Sequence, residues 1–305
     1  MTRYSNTIIY NQLEPTIATL ISATTPTTKA KTPSHQRREV IGSLVYIASC
    51  SRPDISYAVN KLAQYCEKPR LAHWHAVKHI IRYLSSTQDY GIEYTFNDKR
   101  TDSLKLTGYS DADFASDIDT RRSVSGYIVM IAGGAVAWRS KKQSTIASSS
   151  TEAELIAASD ASRELMWLPK LILGCRLNLE LPTKLYIDNQ STLKVITNEK
   201  ANTRLKHVAV KHMFVKEQVT NNNIDVDYIT SDDQIADPLT KSIHKPRFER
   251  LRKAMGIAKL CMSLLMMLNV VISVEASTGH TIILHYVNPC DDIKNIKHEH
   301  YITCC

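Results

Sequence analysis

The run GYSDADFASDIDTRRSVSGYIVMIAGGAVAWRSKKQS, residues 108–144, decides the fold prediction for this chain. Around its beginning, apolar and polar residues alternate from Leu104 onward, which is typical of a strand with one buried face. Two more strand-forming stretches, Val124 to Ile131 and Ala135 to Arg139, meet at Gly133-Gly134, a dipeptide that accepts the positive φ of a tight hairpin. The run therefore predicts a three-stranded meander.

Helices and strands alternate downstream of the meander. Ser149-Ser150-Thr151, followed by Glu152 and Glu154, is typical of a helix N-terminus, because hydroxyls cap free amides and acids favour the first turn. The elements predicted after this helix are a strand over Lys184 to Asp188, helices over Gln190 to Thr197 and His207 to Thr220, a strand over Ile224 to Ile229 and a final helix over Ser231 to Lys241. Strands first, then strands and helices in alternation, predict an α/β protein (α+β) with a mixed sheet and helices against it.

The chain before the meander divides into a tail and a helical region. Residues 1–35 are Thr-rich and are predicted to be a linker or disordered tail. Residues 36–100 are predicted to be helical, since Ser51-Arg52-Pro53-Asp54 is typical of a helix start and an apolar stripe runs from Ile55 to Cys66. A second apolar stripe with helical spacing comprises Val77, Ile80, Ile81 and Leu84. The tryptophans beside such stripes are predicted to lie in the core: Trp74, Trp138 and Trp167.

Composition limits the class of protein. The net charge is +8, which is compatible with a polyanionic partner. Hydrophobic residues make up 43% and charged residues 22%, which excludes a wholly disordered, collagen-like or polytopic membrane chain. The seven cysteines form no C-x-x-C pair and the N-terminus lacks a secretion signal, so an intracellular location, cytoplasmic or nuclear, is expected. The longest apolar stretch, Leu260 to Val274, is shorter than the roughly 20 residues of a membrane span, so no membrane partner is expected.

Four acids lie at suggestive places in the predicted elements: Asp111 and Asp188 at strand ends, Glu154 in the first turns of a helix and Asp237 in the last helix. Such positions converge on one edge of a mixed sheet, where carboxylates repel each other unless cations bind. Carboxylate oxygens suit Mg²⁺ or Mn²⁺, and two such ions about 4 Å apart activate a water and stabilise the leaving oxygen of a phosphodiester. The alternative is chance, because Asp and Glu account for 30 of 305 residues.

Basic residues surround the predicted meander. They are candidates for phosphate contact, with a solvated hairpin as the alternative interpretation: Arg121, Arg122, Arg139, Lys141 and Lys142. Asn189 and Gln190, which follow Asp188 directly, complete the predicted nucleic-acid-binding set.

Several long runs resemble one family in the family's own order. Beside residues 108–144 these are SSSTEAELIAASDASRELMWL (148–168), LYIDNQS (185–191), LKHVAVKHMFVKE (205–217) and DDQIADPLTK (232–241). They resemble the ribonuclease H domain that ends the Pol polyprotein of copia-type LTR retrotransposons. Residues 38–94 resemble the connection between reverse transcriptase and that domain. The resemblance covers about Gln36 to Ile257, most of the chain.

The resemblance implies a ribonuclease H-like fold over residues 101–257, preceded by a connection remnant over 36–100. It implies catalytic and metal-binding roles for Asp111, Glu154, Asp188 and Asp237, each of which matches a motif position. The implied reaction is hydrolysis of the RNA strand of an RNA·DNA hybrid with two Mg²⁺ or Mn²⁺ ions. The expected partners are the hybrid and a full-length reverse transcriptase in trans, with no small-molecule substrate.

The chain also departs from the family. Thr230 to Gln234 lacks the His that helps product leave in cellular ribonucleases H, so slow turnover is expected. No Y-x-D-D polymerase motif occurs, so no polymerase activity is expected from what reads as a truncated Pol fragment. The tail, residues 258–305, matches nothing in the family, and its Cys and His spacing is a poor zinc pattern. Two alternatives therefore stay open: a non-catalytic nucleic-acid-binding remnant, and a decayed transposon fragment.

Overall fold

The computed structural model describes residues 34–67, 70–95, 103–198 and 209–259, with the side chains of 34–37 and 209–213 left aside. The predictions for residues 1–33 and for the tail beyond 259 lie outside the described residues. The helices are α1 Ser34–Cys50, α2 Ser56–Ala63, α3 Leu71–Ser86, α4 Ser150–Gly174, α5 Gln190–Thr197, α6 Ala209–Thr220 and α7 Lys245–Ala254. The strands are β1 Tyr90–Ile92, β2 Leu106–Asp113, β3 Val124–Ile131, β4 Gly134–Lys142, β5 Thr183–Ile187, β6 Ile224–Tyr228 and β7 Ile257–Lys259.

Five of these strands form a mixed sheet in the order β4-β3-β2-β5-β6. The antiparallel pairs β2–β3 and β3–β4 confirm the predicted meander. On the other side of β2, strands β5 and β6 run parallel to it, each reached through a helical connection. This mixed sheet with helices against it confirms the predicted α/β class and the ribonuclease H-like fold implied by the resemblance.

The two faces of the sheet carry different helices. Helix α4 packs on one face, where Leu165 lies against Gly108 of β2 so closely that a Cβ there would stand 2.8 Å from a leucine methyl. On the other face, the indole Nε1 of Trp138 donates to the carbonyl of Ala48 in α1 at 2.7 Å. Helices α1 to α3 have their own apolar core, which includes Trp74 as predicted. The helical region and the sheet belong to one compact unit.

A buried polar network joins α3 to α7. The Arg52 guanidinium, fully buried, donates to both carboxylate oxygens of Asp54 at 2.9 and 2.8 Å and to the Thr87 hydroxyl at 2.9 Å. The Tyr83 hydroxyl donates to Asp54 at 2.6 Å and accepts from Arg252 of α7 at 3.0 Å. Every charge in this network has a partner of opposite sign or a hydrogen bond, and these contacts offset the desolvation cost of burying it.

The predicted helix over Ser231 to Lys241 is wrong. Two short 3-10 turns, Ser231–Asp233 and Asp237–Leu239, take its place. One reason is that Pro238 has no amide hydrogen to donate within a longer helix. A second is that the Gln234 side chain donates to the Ser110 carbonyl of β2 at 2.9 Å, which holds this segment on the sheet. This segment is therefore shaped by its contact with the sheet.

Other differences concern elements that the sequence patterns did not reveal. Helix α7 has no counterpart among the predicted elements. Helix α1 lies in the region predicted to be helical, whereas strand β1 in the same region departs from that prediction and pairs with β7. Trp167 was predicted to lie in the core, but it is 56% exposed, because the opposite side of α4 packs on the sheet. Within the described ranges, none of the helices combines the length and apolar character that crossing a bilayer requires.

Replacing Arg52 by methionine tests the buried network. The Asp54 carboxylate would then be buried without its cation, so we expect the free energy of unfolding to fall by about 3 kcal/mol or more. Urea unfolding measures the loss. The matched control is Arg163→Met, which removes an exposed pair to Asp160 at 3.0 Å and should cost about 1 kcal/mol or less. Equal losses in the two variants would contradict the role given to the network.

Candidate active site

Three of the four predicted acids come together at one end of the sheet. Asp111 lies in β2, Glu154 in the first turns of α4 and Asp188 directly after β5. Each offers a carboxylate oxygen, and these oxygens all lie within 4.8 Å of one another. Asp111 and Glu154 are buried, while Asp188 is half-buried. The arrangement is a pocket of negative charge that opens to solvent on the Asp188 side.

Backbone geometry accounts for this convergence. In the parallel pair of β2 and β5, Ser110 is opposite Ile187, so the residues that follow them, Asp111 and Asp188, lie side by side. Glu154 reaches the same place because Ser149 caps α4, with its hydroxyl accepting from the Glu152 amide at 3.1 Å. The Glu154 Oε1 atom then accepts from the Ala112 amide of β2 at 3.2 Å.

The structure places Asp237 beside this group but not within it. Its buried carboxylate pairs through Oδ1 with Lys241 Nζ at 2.9 Å, and its Oδ2 accepts from Arg247. The same Lys241 Nζ lies 3.7 Å from Asp111 Oδ2, which also accepts from the Thr240 hydroxyl. Asp237 is thus balanced by two cations, unlike the three acids that face each other.

A glycine allows this close approach. Gly126 of β3 is opposite Asp111, and a Cβ on it would lie 2.7 Å from the Thr240 side chain and 2.8 Å from that of Leu239. Any larger residue would therefore push the segment that carries Asp237 away from the sheet. The residues that sequence reasoning missed here are Thr240, Lys241 and Arg247. Thr240 and Lys241 had a signal, since both lie in the DDQIADPLTK run, whereas Arg247 had none.

Burial and mutual repulsion alter the proton affinities of these groups. Burial raises the pKa of Asp111 to about 7, with repulsion from Asp237 adding to the rise and Lys241 opposing it. Burial also raises the pKa of Glu154 well above its ordinary value, and the charges of Asp111 and Asp188 raise it further. Burial lowers the pKa of Lys241, but the neighbouring carboxylates outweigh this effect and leave it raised. Asp111 and Glu154 therefore take up a proton at a higher pH than an exposed carboxyl group does, unless another cation takes its place.

The donor set fits a hard divalent cation. The Oε2 atom of Glu154 is buried and has no hydrogen-bond partner among the described residues, which is costly for a carboxylate oxygen unless a cation binds it. Asp188 is oriented by the Ser231 hydroxyl, which donates to its Oδ2 at 2.8 Å. Oxygen ligands of this kind suit Mg²⁺ or Mn²⁺.

The predicted phosphate-contacting residues fall into two groups. Arg121, Arg122, Arg139 and Lys141 are exposed, the first two in the loop after β2 and the others on β4, beside the sheet end that carries Asp111. Lys142 is instead paired with the buried carboxylate of Asp117 and donates to Gln64 at 3.3 Å.

The two polar residues after Asp188 also differ in their roles. Asn189 caps α5, with its Oδ1 accepting from the Thr192 amide at 2.9 Å. Gln190 is exposed as the first residue of that helix. Asn189 therefore has a structural role whatever it binds.

Comparison with known proteins gives relatives for most of the chain, although no protein-family model matches it. The retrovirus-related Pol polyprotein from transposon RE2 of Arabidopsis thaliana is 38% identical over 223 residues, which are 73% of this chain and 15% of that protein. The secreted RxLR effector protein 161 of Plasmopara viticola is 49% identical over 128 residues, 42% of this chain and 87% of that protein. Among solved structures, ribonuclease H1 from the archaeon Halobacterium salinarum NRC-1 has a TM-score of 0.33 at 17% identity, covering 45% of this chain and 94% of that one.

Replacing Asp111 by asparagine should stabilise the metal-free chain near neutral pH. The pKa of Asp111 is raised in the folded state, so stability falls as the pH rises from the ordinary value of 3.8 through about 7. Removing this charge should raise the free energy of unfolding by about 1 kcal/mol or more above that range, and by little below it. Urea unfolding with a chelator, at about pH 8 and about pH 4, measures both values.

Asp225→Asn, an exposed acid on β6, serves as the control and should show no such gain. A loss of stability in Asp111→Asn near pH 8, or a gain that is larger at low pH, would contradict the repulsion described here.

Proposed function

Because the chain belongs to the Pol polyprotein family of copia-type retrotransposons, we propose that it is a ribonuclease H that hydrolyses the RNA strand of RNA·DNA hybrids with divalent ions bound. The observation that carries the proposal is the convergence of Asp111, Glu154 and Asp188, whose carboxylate oxygens lie within 4.8 Å of one another. The orphaned oxygen of Glu154 adds support, since it points to a missing cation.

The three acids would hold Mg²⁺ or Mn²⁺, and two ions are predicted. When bound, such ions activate a water and stabilise the leaving oxygen of the phosphodiester. The protein's own residues place the ligands: the Thr240 hydroxyl orients Asp111, the Ala112 amide orients Glu154 and the Ser231 hydroxyl orients Asp188. Burial of Asp111 and Glu154 keeps water away from one side of the site, so that hydrolysis takes place on the Asp188 side.

The hybrid would be held by its phosphates. Arg121, Arg122, Arg139 and Lys141 are exposed, the first two in the loop after β2 and the others on β4, and contacts from such residues would fix the position of a duplex without reading its sequence. Choice of the RNA strand would depend on contacts to its 2′-hydroxyl groups, which DNA lacks. Gln190, exposed two positions after Asp188, is the candidate for that role, because the Asn189 side chain caps α5. Slow turnover, the absence of polymerase activity and the action of a reverse transcriptase in trans stay predictions.

Cleavage of a labelled RNA·DNA hybrid tests the proposed reaction. The full chain with Mg²⁺ or Mn²⁺ should cut only the RNA strand and leave a 3′-hydroxyl. Asp188→Asn removes one negative charge from the site. The rate should fall at least about a hundredfold, because the ion is then bound more weakly and is less well oriented.

The matched control is Asp225→Asn, which should cut at the wild-type rate because Asp225 lies on the exposed part of β6 and pairs with Lys184. Cutting that persists in a chelator, or that survives Asp188→Asn, would overturn the proposal. Salt-sensitive binding without any cutting would favour the non-catalytic alternative.

Replacing both Arg121 and Arg122 by glutamine tests the phosphate contacts. We expect the Kd for the hybrid to rise several-fold at low salt and the slope of log Kd against log salt to fall by about 1 for each lost contact. Fluorescence anisotropy across a salt series measures both. The control is Lys170→Gln, an exposed lysine about four turns along α4 from Glu154, which should leave the slope unchanged. The same change in both variants would mean that the charge acts only through the field of the whole protein.

A further inference from the structure

The charges around the candidate metal centre are unevenly balanced. On one side, Glu154 and Asp188 face Asp111 without a cationic partner within ion-pair distance among the described residues. On the other side, Asp237 is in contact with both Lys241 and Arg247. The two sides meet at Asp111. One of its carboxylate oxygens lies within 4.8 Å of those of Glu154 and Asp188, and its Oδ2 atom lies 3.7 Å from the Lys241 ammonium.

The Lys241 ammonium lies between two carboxylates, those of Asp111 and Asp237. Its Nζ atom lies 2.9 Å from Asp237 Oδ1 and 3.7 Å from Asp111 Oδ2. Its side chain is about one-third exposed, at 34%, so part of the lysine is accessible to solvent while its ammonium contacts a buried carboxylate. Arg247 adds a second positive charge on Asp237 and donates to the carbonyl of Ser231, whose hydroxyl orients Asp188.

This inference rests on the proposed function. We infer that Lys241 is a positioning residue that acts as a built-in cation between Asp111 and Asp237, so that the substrate-free chain holds a single divalent ion, in the triad of Asp111, Glu154 and Asp188. A second ion between Asp111 and Asp237 must first displace the Lys241 ammonium. Two positive groups already contact Asp237, so this position repels a further dication until that displacement occurs.

A purely structural role for Lys241 makes a different prediction. If the lysine only fastens the Asp237 segment to the sheet, its loss lowers stability and leaves the number of bound ions unchanged. If it occupies a cation position, its loss opens that position, and the number of ions bound at a given concentration rises. Counting bound ions therefore separates the two roles without any measurement of activity.

The experiment titrates the full chain with Mn²⁺ and follows free Mn²⁺ by electron paramagnetic resonance. The wild-type chain should bind one Mn²⁺ in the concentration range where Lys241→Gln binds two. The second site of the variant should be at least about tenfold tighter than in the wild type, because a unit positive charge has been removed within about 4 Å. Lys241→Arg, which keeps the charge, should bind one ion.

The matched control is Lys245→Gln, since Lys245 is 84% exposed and only loosely paired with Glu249 at 3.9 Å. It should bind one ion, like the wild type. Thermal unfolding of each variant tests whether the chain is folded. If Lys241→Gln does not fold, Lys241→Met in the presence of Mn²⁺ replaces it.

The outcomes separate this inference from the proposed function. Two ions in both the wild type and Lys241→Gln, or weaker Mn²⁺ binding in Lys241→Gln, would overturn the inference and leave the metal-dependent nuclease standing. Failure of the proposed function has another signature: the wild-type chain would bind no Mn²⁺, or Asp188→Asn would bind it as tightly as the wild type. One ion in the wild type and two in Lys241→Gln supports both.

Discussion

Mutual repulsion among four carboxylates at one end of the sheet is the constraint on which the site depends. Asp111, Glu154 and Asp237 are buried there together, and burial and mutual repulsion raise the pKa values of Asp111 and Glu154. The cations are distributed unequally: Lys241 and Arg247 pair with Asp237, and Lys241 also lies 3.7 Å from Asp111. Glu154 and Asp188 have hydrogen bonds but no cationic partner within ion-pair distance among the described residues. The uncompensated part of the charge is what a divalent ion would neutralise, so the same imbalance that costs stability creates affinity for metal.

The parts of the structure that local patterns determine were predictable from the sequence. Alternating apolar residues and the Gly133-Gly134 turn predicted the meander, and capping residues predicted the start of α4. These features depend on neighbours a few residues away, so their signals lie within short windows. The resemblance then named Asp111, Glu154 and Asp188, which the parallel register of β2 and β5 and the cap of α4 bring together.

The rest depends on contacts between distant residues, which leave no local signal. Thr240 meets Asp111 across 129 positions of sequence, and Gln234 meets Ser110 across 124, so the segment that carries Asp237 is held against the sheet by contacts that no local pattern reveals. Arg247 lies on a helix that no apolar periodicity marks, since α7 is rich in charged residues. Trp167 was predicted to be buried and is exposed, because the sequence of a helix does not show which of its apolar residues another element covers.

The network of Arg52, Asp54, Tyr83 and Arg252 links this site to helices far from it in sequence. Arg252 and Arg247 belong to the same helix, α7, so the residues that anchor α7 on α3 also hold the guanidinium that contacts Asp237. The helical region and the sheet therefore depend on each other through α7. Exchange of one of them by recombination, without the other, would leave the Asp237 carboxylate without the helix that supports its guanidinium partner.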